Sequence, residues 1–309
     1  MGGTPGPVYA ALHGPLDREL GALAAQEGLP ASMVRRLLRH PVARRTAARL
    51  RRDLTGEQTE EIIALGSARP LAANPWVPAP VKARLARHPE PAVRCAAAAG
   101  ATDEPPGLLA RLAGDPDPLV RAFLTMNEHL TADLMARLAG DSDPMVREWL
   151  PRYRRDAPPA VRRALFTDPE PGVRRAALAH WSPPAELLSS LLTDPQTRVG
   201  AAGHSAPTPE LARDPDPRVR TAVAAHPDLP AALHDLLAQD PDTLVRNEIA
   251  CRTDTPPALR ERLTATLTPR DPAEAFLLAH RGHTCPQPPP APPALTREQA
   301  QALLARAGL

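Results

Sequence analysis

The chain has 309 residues, 43% of them hydrophobic and only 3% aromatic, so its core must be built from leucine, valine and alanine. A net charge of +2 calls for no polyanionic partner, and no apolar run approaches the ~18 residues of a membrane span. The three cysteines, Cys95, Cys251 and Cys285, lie far apart and form no Cys-x-x-Cys pair, which signals neither a disulfide framework nor a zinc knuckle.

The N-terminus has no secretory pattern, and a soluble cytoplasmic protein is expected. Residues 1–27 are read as an N-terminal capping segment. The stretch "GLPASMVRRLLRHPVARRTAARLRR" (28–52) then holds eight arginines and no acid, leaving 29 basic against 35 acidic residues elsewhere. Arg35, Arg36, Arg39, Arg44, Arg45 and Arg49 are therefore candidates for a polyanion contact. The other reading is the solvated polar face of a terminal repeat. The lack of lysine and of aromatics for base stacking in this stretch favours that second reading.

Downstream one phrase returns as "GDPDPLVRAFL", "GDSDPMVREWL", "TDPEPGVRRAAL", "RDPDPRVRTAV" and "QDPDTLVRNEI". Its valine falls at Val93, Val120, Val146, Val173, Val199, Val219 and Val245, in steps of 27, 26, 27, 26, 20 and 26. "NPWVPAPVKARLARHPEPAVR" (74–94) aligns without a gap on "HPDLPAALHDLLAQDPDTLVR" (226–246), placing an eroded marker near Ser67. The array covers residues 28–281, about nine to ten repeats of about 26 residues.

In each repeat an Asp-Pro pair opens a short helix: Asp216 caps, Pro217 enters, and Val219, Ala222 and Val223 share a face. A second helix starts near Pro230 with Leu233, Leu236 and Leu237 as its stripe. Helices this short are unstable alone, so each must bury its stripe on the next repeat, giving an all-α solenoid. Asp and Arg recur six residues apart, as Asp115/Arg121, Asp141/Arg147, Asp168/Arg174, Asp214/Arg220 and Asp240/Arg246. A pair present in nearly every repeat predicts a structural ladder, with Asp capping helices and Arg bridging neighbours. His180, His226, Asn74 and Asn127 share one slot, which predicts turn chemistry. His280, His283 and Cys285 lack the further ligands a metal needs, and no metal is expected.

Three departures from the repeat stand out. "VREWLPRYRRD" (146–156) carries Trp149, Pro151, Tyr153 and the arginines Arg152, Arg154 and Arg155, with Pro151 expected to interrupt the first helix. Trp149, Arg152, Tyr153, Arg154 and Arg155 are candidate partner-binding residues, since these residue types anchor interfaces; the competing reading is local repacking around Trp149. "VGAAGHSAPTPELARDPDP" (199–217) lacks six residues and puts Gly200 in the arginine position, predicting a shortened second helix. "CPQPPPAPPAL" reads as a linker over 282–293, followed by a helix over 294–309 opened by a Thr296/Gln299 capping box.

The repeated unit resembles the leucine-rich repeat variant (LRV) family, carried best by "HPDLPAALHDLLAQDPDTLVR"; HEAT-like repeats share the Asp-Pro-x-x-Val-Arg phrase. The resemblance implies short α-helices alternating with tighter, 3₁₀-like helices in a right-handed superhelix, with no enzymatic activity common to the family. One branch is associated with an iron–sulfur cluster through N-terminal cysteines; residues 1–27 contain none, so no cofactor is expected. No phosphate-cradling loop, paired carboxylates or acid–base triad occurs in the sequence. The expected function is a non-catalytic scaffold that presents an extended surface to a protein partner. The alternative is a nucleic-acid-binding solenoid using residues 28–52.

Overall fold

Residues 14–100, 102–103, 105–269, 271–273, 275–276 and 294–309 are described in a computed structural model. The linker 282–293, with His280, His283 and Cys285, lies outside the described residues. Among the described residues the chain forms 20 α-helices and one 3₁₀ turn, without a strand. None of these helices is long and apolar enough to cross a membrane. Two compact units result: Met1–Arg154 with Gln287–Leu309, and Arg155–Pro286.

The repeated phrase explains how each first helix begins, and its two acids divide the work. Asp115 Oδ1 accepts the N–H of Asp117, and Asp117 Oδ1 in turn caps Leu119 N at 2.9 Å. The same relay runs Asp141–Asp143–Met145, Asp214–Asp216–Arg218 and Asp240–Asp242–Leu244. The predicted cap at Asp216 is thus observed. The first acid of each phrase, expected to cap as well, instead forms the preceding turn and keeps its carboxylate for a neighbour. Proline opens most of these helices because the N–H it lacks has no helical acceptor at that position.

In the first unit, first helices alternate with second helices. The first helices are α1 (Pro15–Ala25), α3 (Pro41–Leu50), α5 (Ala68–Ala72), α7 (Pro91–Gly100), α9 (Pro118–Leu124) and α11 (Pro144–Tyr153). Each packs on the next in that order. Between them come α2 (Ala31–Arg39), α4 (Gly56–Ala64), α6 (Ala79–Leu85), α8 (Leu108–Leu112) and α10 (Ala132–Ala139), each packed on the first helix that follows it. The marker valines Val93, Val120 and Val146 are buried between the layers. Full burial of each such side chain stabilises by about 1.5–3 kcal/mol.

The second unit holds α12 (Pro159–Phe166), α13 (Pro171–His180), α14 (Ala185–Thr193), α15 (Arg198–Ala202), the 3₁₀ turn Leu211–Arg213, α16 (Pro217–Ala224), α17 (Ala231–Leu237), α18 (Thr243–Cys251) and α19 (Pro257–Ala265). Val219, Val223, Leu233, Leu237, Val245 and Ile249 belong to one continuous apolar cluster there. The second helices are α-helical apart from the turn at Leu211–Arg213, where the repeat lacks six residues. Among the described residues the tighter, 3₁₀-like helices implied by the resemblance are represented by that turn alone.

Pro151 does not interrupt α11, which continues to Tyr153. The proline sits near the helix end, forgoes a single i→i−4 bond, and buries its ring. A last helix, α20 (Arg297–Arg306), opens with the expected Thr296/Gln299 capping box and packs on α1 and α2. Gln26 clasps its entry from both sides, donating to Leu295 O at 2.8 Å and accepting from Leu295 N at 3.0 Å. Arg306 pairs with Glu19 at 3.1 Å, and Arg36 donates to the Leu309 carbonyl.

Candidate functional site

Most of the arginines serve two ladders. In the first ladder Arg94 binds both oxygens of Asp115, Arg121 those of Asp141 and Arg220 those of Asp240, at 2.7–3.0 Å. Arg174 reaches Asp194 at 2.6 Å. The remaining nitrogen turns back to the carbonyl six residues earlier, as Arg121 Nη1 does to Asp115 O at 2.8 Å. Arg121 and Asp141 are only 13% and 8% exposed. Burial alone would raise the Asp141 carboxyl, but Arg121, the Asp143 N–H and the charge of Arg147 together hold it below the usual carboxylate range. Arg94, Arg121 and Arg220 are each pushed up by the carboxylate they bind.

Arg44 belongs to this ladder. It donates to Ser67 Oγ at 3.0 Å and to Leu38 O at 2.9 Å, the same pattern with a hydroxyl in place of the carboxylate. In α15 Gly200 does stand where the arginine is expected, but Arg198, two residues earlier, pairs with Asp214 instead.

The second ladder was invisible in the sequence. Near the end of several first helices a buried or largely buried donor reaches back to carbonyls of the preceding repeat. Asn74 Nδ2 donates to Ala48 O and Arg51 O, and Asn127 Nδ2 to Ala98 O. Arg51 Nη1 donates to Gln26 O at 2.6 Å, Arg154 Nη1 to Asn127 O at 2.6 Å, and Arg252 Nη1 to Ala224 O and His226 O. The expected turn chemistry also holds: Asn127 Oδ1 accepts from His129 N and His226 Nδ1 from Asp228 N. No residue pattern reveals backbone acceptors, so the shared slot showed only its local half.

These roles thin the candidate arginines. Arg154 is 6% exposed and joins adjacent repeats, so it is no surface contact. Arg36 and Arg44 are engaged internally, and Arg35 pairs with Glu57 at 3.0 Å. Arg39, Arg45 and Arg49 are exposed and have no anionic partner among the described residues. Arg152 is exposed on α11; Arg155 lies in the second unit, where its carbonyl accepts from Arg162.

What remains of the segment 146–156 is aromatic and outward. The Trp149 ring lies 5.5 Å from Phe123 of α9 and 5.8 Å from Tyr153, tilted by 50° and 54°. Leu119, Phe123 and Met126 follow one another at i, i+4 and i+7, and Met145, Trp149 and Tyr153 run alongside at i, i+4 and i+8. Leu119, Met126 and Tyr153 are about 40% exposed, although all three are large and apolar or aromatic. Three residues after the marker, other repeats carry Ala96, Ala176 and Ala222 where this pair carries Phe123 and Trp149. Phe123, Leu119 and Met126 were not singled out from the sequence; aligning that column across repeats would have found Phe123.

An open depression of about 770 Å³ in the second unit is lined by Asn247, Cys251, Arg252 and Arg260 among others, and no carboxylate or histidine is among its described lining residues. Both guanidinium groups there are held by backbone carbonyls. Among known proteins, no family model and no curated protein matches the chain.

Proposed function

We propose that the protein is a non-catalytic repeat scaffold, a right-handed α-solenoid of period near 26 residues that binds a protein partner in the cytoplasm. The observation carrying this reading is the row Phe123–Trp149–Tyr153 on the outward face of α9 and α11. Repeats under the same packing demands converge on small residues at such positions. Large rings with few rotors, partly exposed to water, suit the desolvation of a partner at low entropic cost. Arg152 borders the row and adds planar hydrogen bonding. The nucleic-acid reading loses support because Arg36 and Arg44 are used internally.

The test compares wild type with Tyr153→Ala and Phe123→Ala in affinity capture from native lysate, with and without nuclease, beside thermal melts. Specific partners that survive nuclease and are lost from Tyr153→Ala, with its melt unchanged, support the scaffold. Partners that all vanish with nuclease, or that ignore both substitutions, overturn it.

A further inference from the structure

The outward face of the first helices changes character along the first unit. With Ala43 and Ser67 taken as the markers of α3 and α5, the residues two positions on, Arg45 and Arg69, are exposed, as is Glu148 on α11, whereas Cys95 on α7 and Ala122 on α9 are buried at that position. Six residues after the marker stand Arg49, Ala73, Ala99, Met126 and Arg152. One end of the face is therefore cationic, the middle is small, and the far end is the aromatic row.

The cationic end is uncompensated. Arg45, Arg49 and Arg69 are exposed and have no anionic partner among the described residues. The second-helix layer behaves differently: Arg35 pairs with Glu57 and Arg84 with Glu60, at 2.8–3.0 Å. Between α5 and α6, Trp76 is 55% exposed, with the Arg52 guanidinium 4.6 Å over its ring.

We propose that the occupant of this face is an acidic linear peptide segment with an aromatic or aliphatic anchor: the anchor seats on Phe123, Trp149 and Tyr153, and the acids reach Arg45, Arg49 and Arg69. The proposal rests on the protein-binding reading above and specifies the partner's chemistry. Packed helices lie about 8–10 Å apart, so α5 to α9 spans roughly 16–20 Å and α3 to α9 roughly 24–30 Å. An extended chain covers the first in about five or six residues and the second in about seven to nine. Ala96 and Ala99 of α7, both partly exposed, present only methyl groups in the middle. The tilted rings contact one another, leaving no separate platforms between which bases could stack.

The experiment is selection of displayed random peptides on the full chain. Wild type is compared with Arg45→Glu/Arg49→Glu and with Tyr153→Ala, whose residue is partly exposed; Trp149→Ala is included where its melt stays cooperative. Wild type is expected to enrich an anchor residue with Asp or Glu about five to nine positions away. The double arginine variant should keep the anchor and lose the acids, and labelled acidic peptides should bind it at least tenfold more weakly. Tyr153→Ala should lose the anchor. Anchors without acids, or acids still selected by the arginine variant, overturn the proposal and leave the protein-binding surface standing. Selection indifferent to Tyr153 overturns both. A short labelled DNA duplex or single strand that displaces the peptides and depends on Arg45 and Arg49 overturns it in favour of nucleic acid.

Discussion

The stretch Asp115–Tyr153 in the first unit and the stretch Arg198–Arg220 in the second solve one problem with different amounts of chain. The first has full helices and a bidentate Arg121–Asp141 rung. The second has lost six residues, keeps only a 3₁₀ turn at Leu211–Arg213, and makes its rung from Arg198 to Asp214. A Cβ on Gly200 would sit 3.1 Å from Leu178 Cβ, too near for an arginine to return there at no cost. His204 Nε2 lies 2.8 Å from Leu178 O and takes over the reach to the preceding repeat. Both ladders survive the deletion, so the array requires a cation on a carboxylate and a polar group on a carbonyl rather than a fixed helix length.

The sharpest way to break this comparison is Asp141→Ala. It strands the Arg121 guanidinium and the Asp143 N–H in a mostly buried setting, and a loss of about 3 kcal/mol is expected in urea unfolding. Arg198→Ala should cost a similar amount, because although that arginine is 43% exposed the Asp214 carboxylate it leaves behind is only 1% exposed. A much smaller loss would show that the short rung carries less load than the long one.

Acid should do reversibly what Asp141→Ala does permanently. A carboxyl held below its usual range stabilises above its unfolded pKa, and that contribution is lost as pH falls through the folded value. Stability should therefore drop below about pH 4, the unfolded carboxylate value, and less steeply in Asp141→Ala than in wild type. Urea midpoints across pH check the slope.

Arg154→Ala should lose about 2 kcal/mol by removing a charged donor from Asn127 O, whereas its neighbour Tyr153→Ala should barely move the melt. That pair separates the ladder from the outward face within one helix. The smallest contrast is between glycines. Gly100→Ala would put a Cβ 2.7 Å from the backbone oxygen of Ala73 and should cost about 1–2 kcal/mol. Gly200→Ala meets Leu178 Cβ at 3.1 Å, a milder crowding than that at Gly100, and should cost less, about 1 kcal/mol or below.

How far the sequence speaks depends on where each interaction ends. Side chain to side chain, it is legible: the Asp and Arg of the ladder recur as letters, and the helix starts at Asp216, Pro230 and Thr296 follow from capping rules. Side chain to backbone, it falls silent. Asn74, Arg51 and Arg154 do one job with different chemistry and from slightly different positions, and their acceptors are carbonyls that every residue has. By residue type alone Arg154 groups with its exposed neighbours, and Arg44 with the basic cluster. Trp149 and Tyr153 could be paired from spacing along a single helix, but Phe123 joins them only across repeats.

The clasp of α20 on α1 and α2 sets an order of events during synthesis. Gln26 and Leu295 are separated by 269 positions, which at 5–20 residues per second means a wait of roughly 15–50 s between their emergence. Throughout that interval the surfaces of α1 and α2 that later meet Ala300, Leu303 and Leu304 stay open to any chaperone or neighbouring nascent chain. The helices made first are thus finished last.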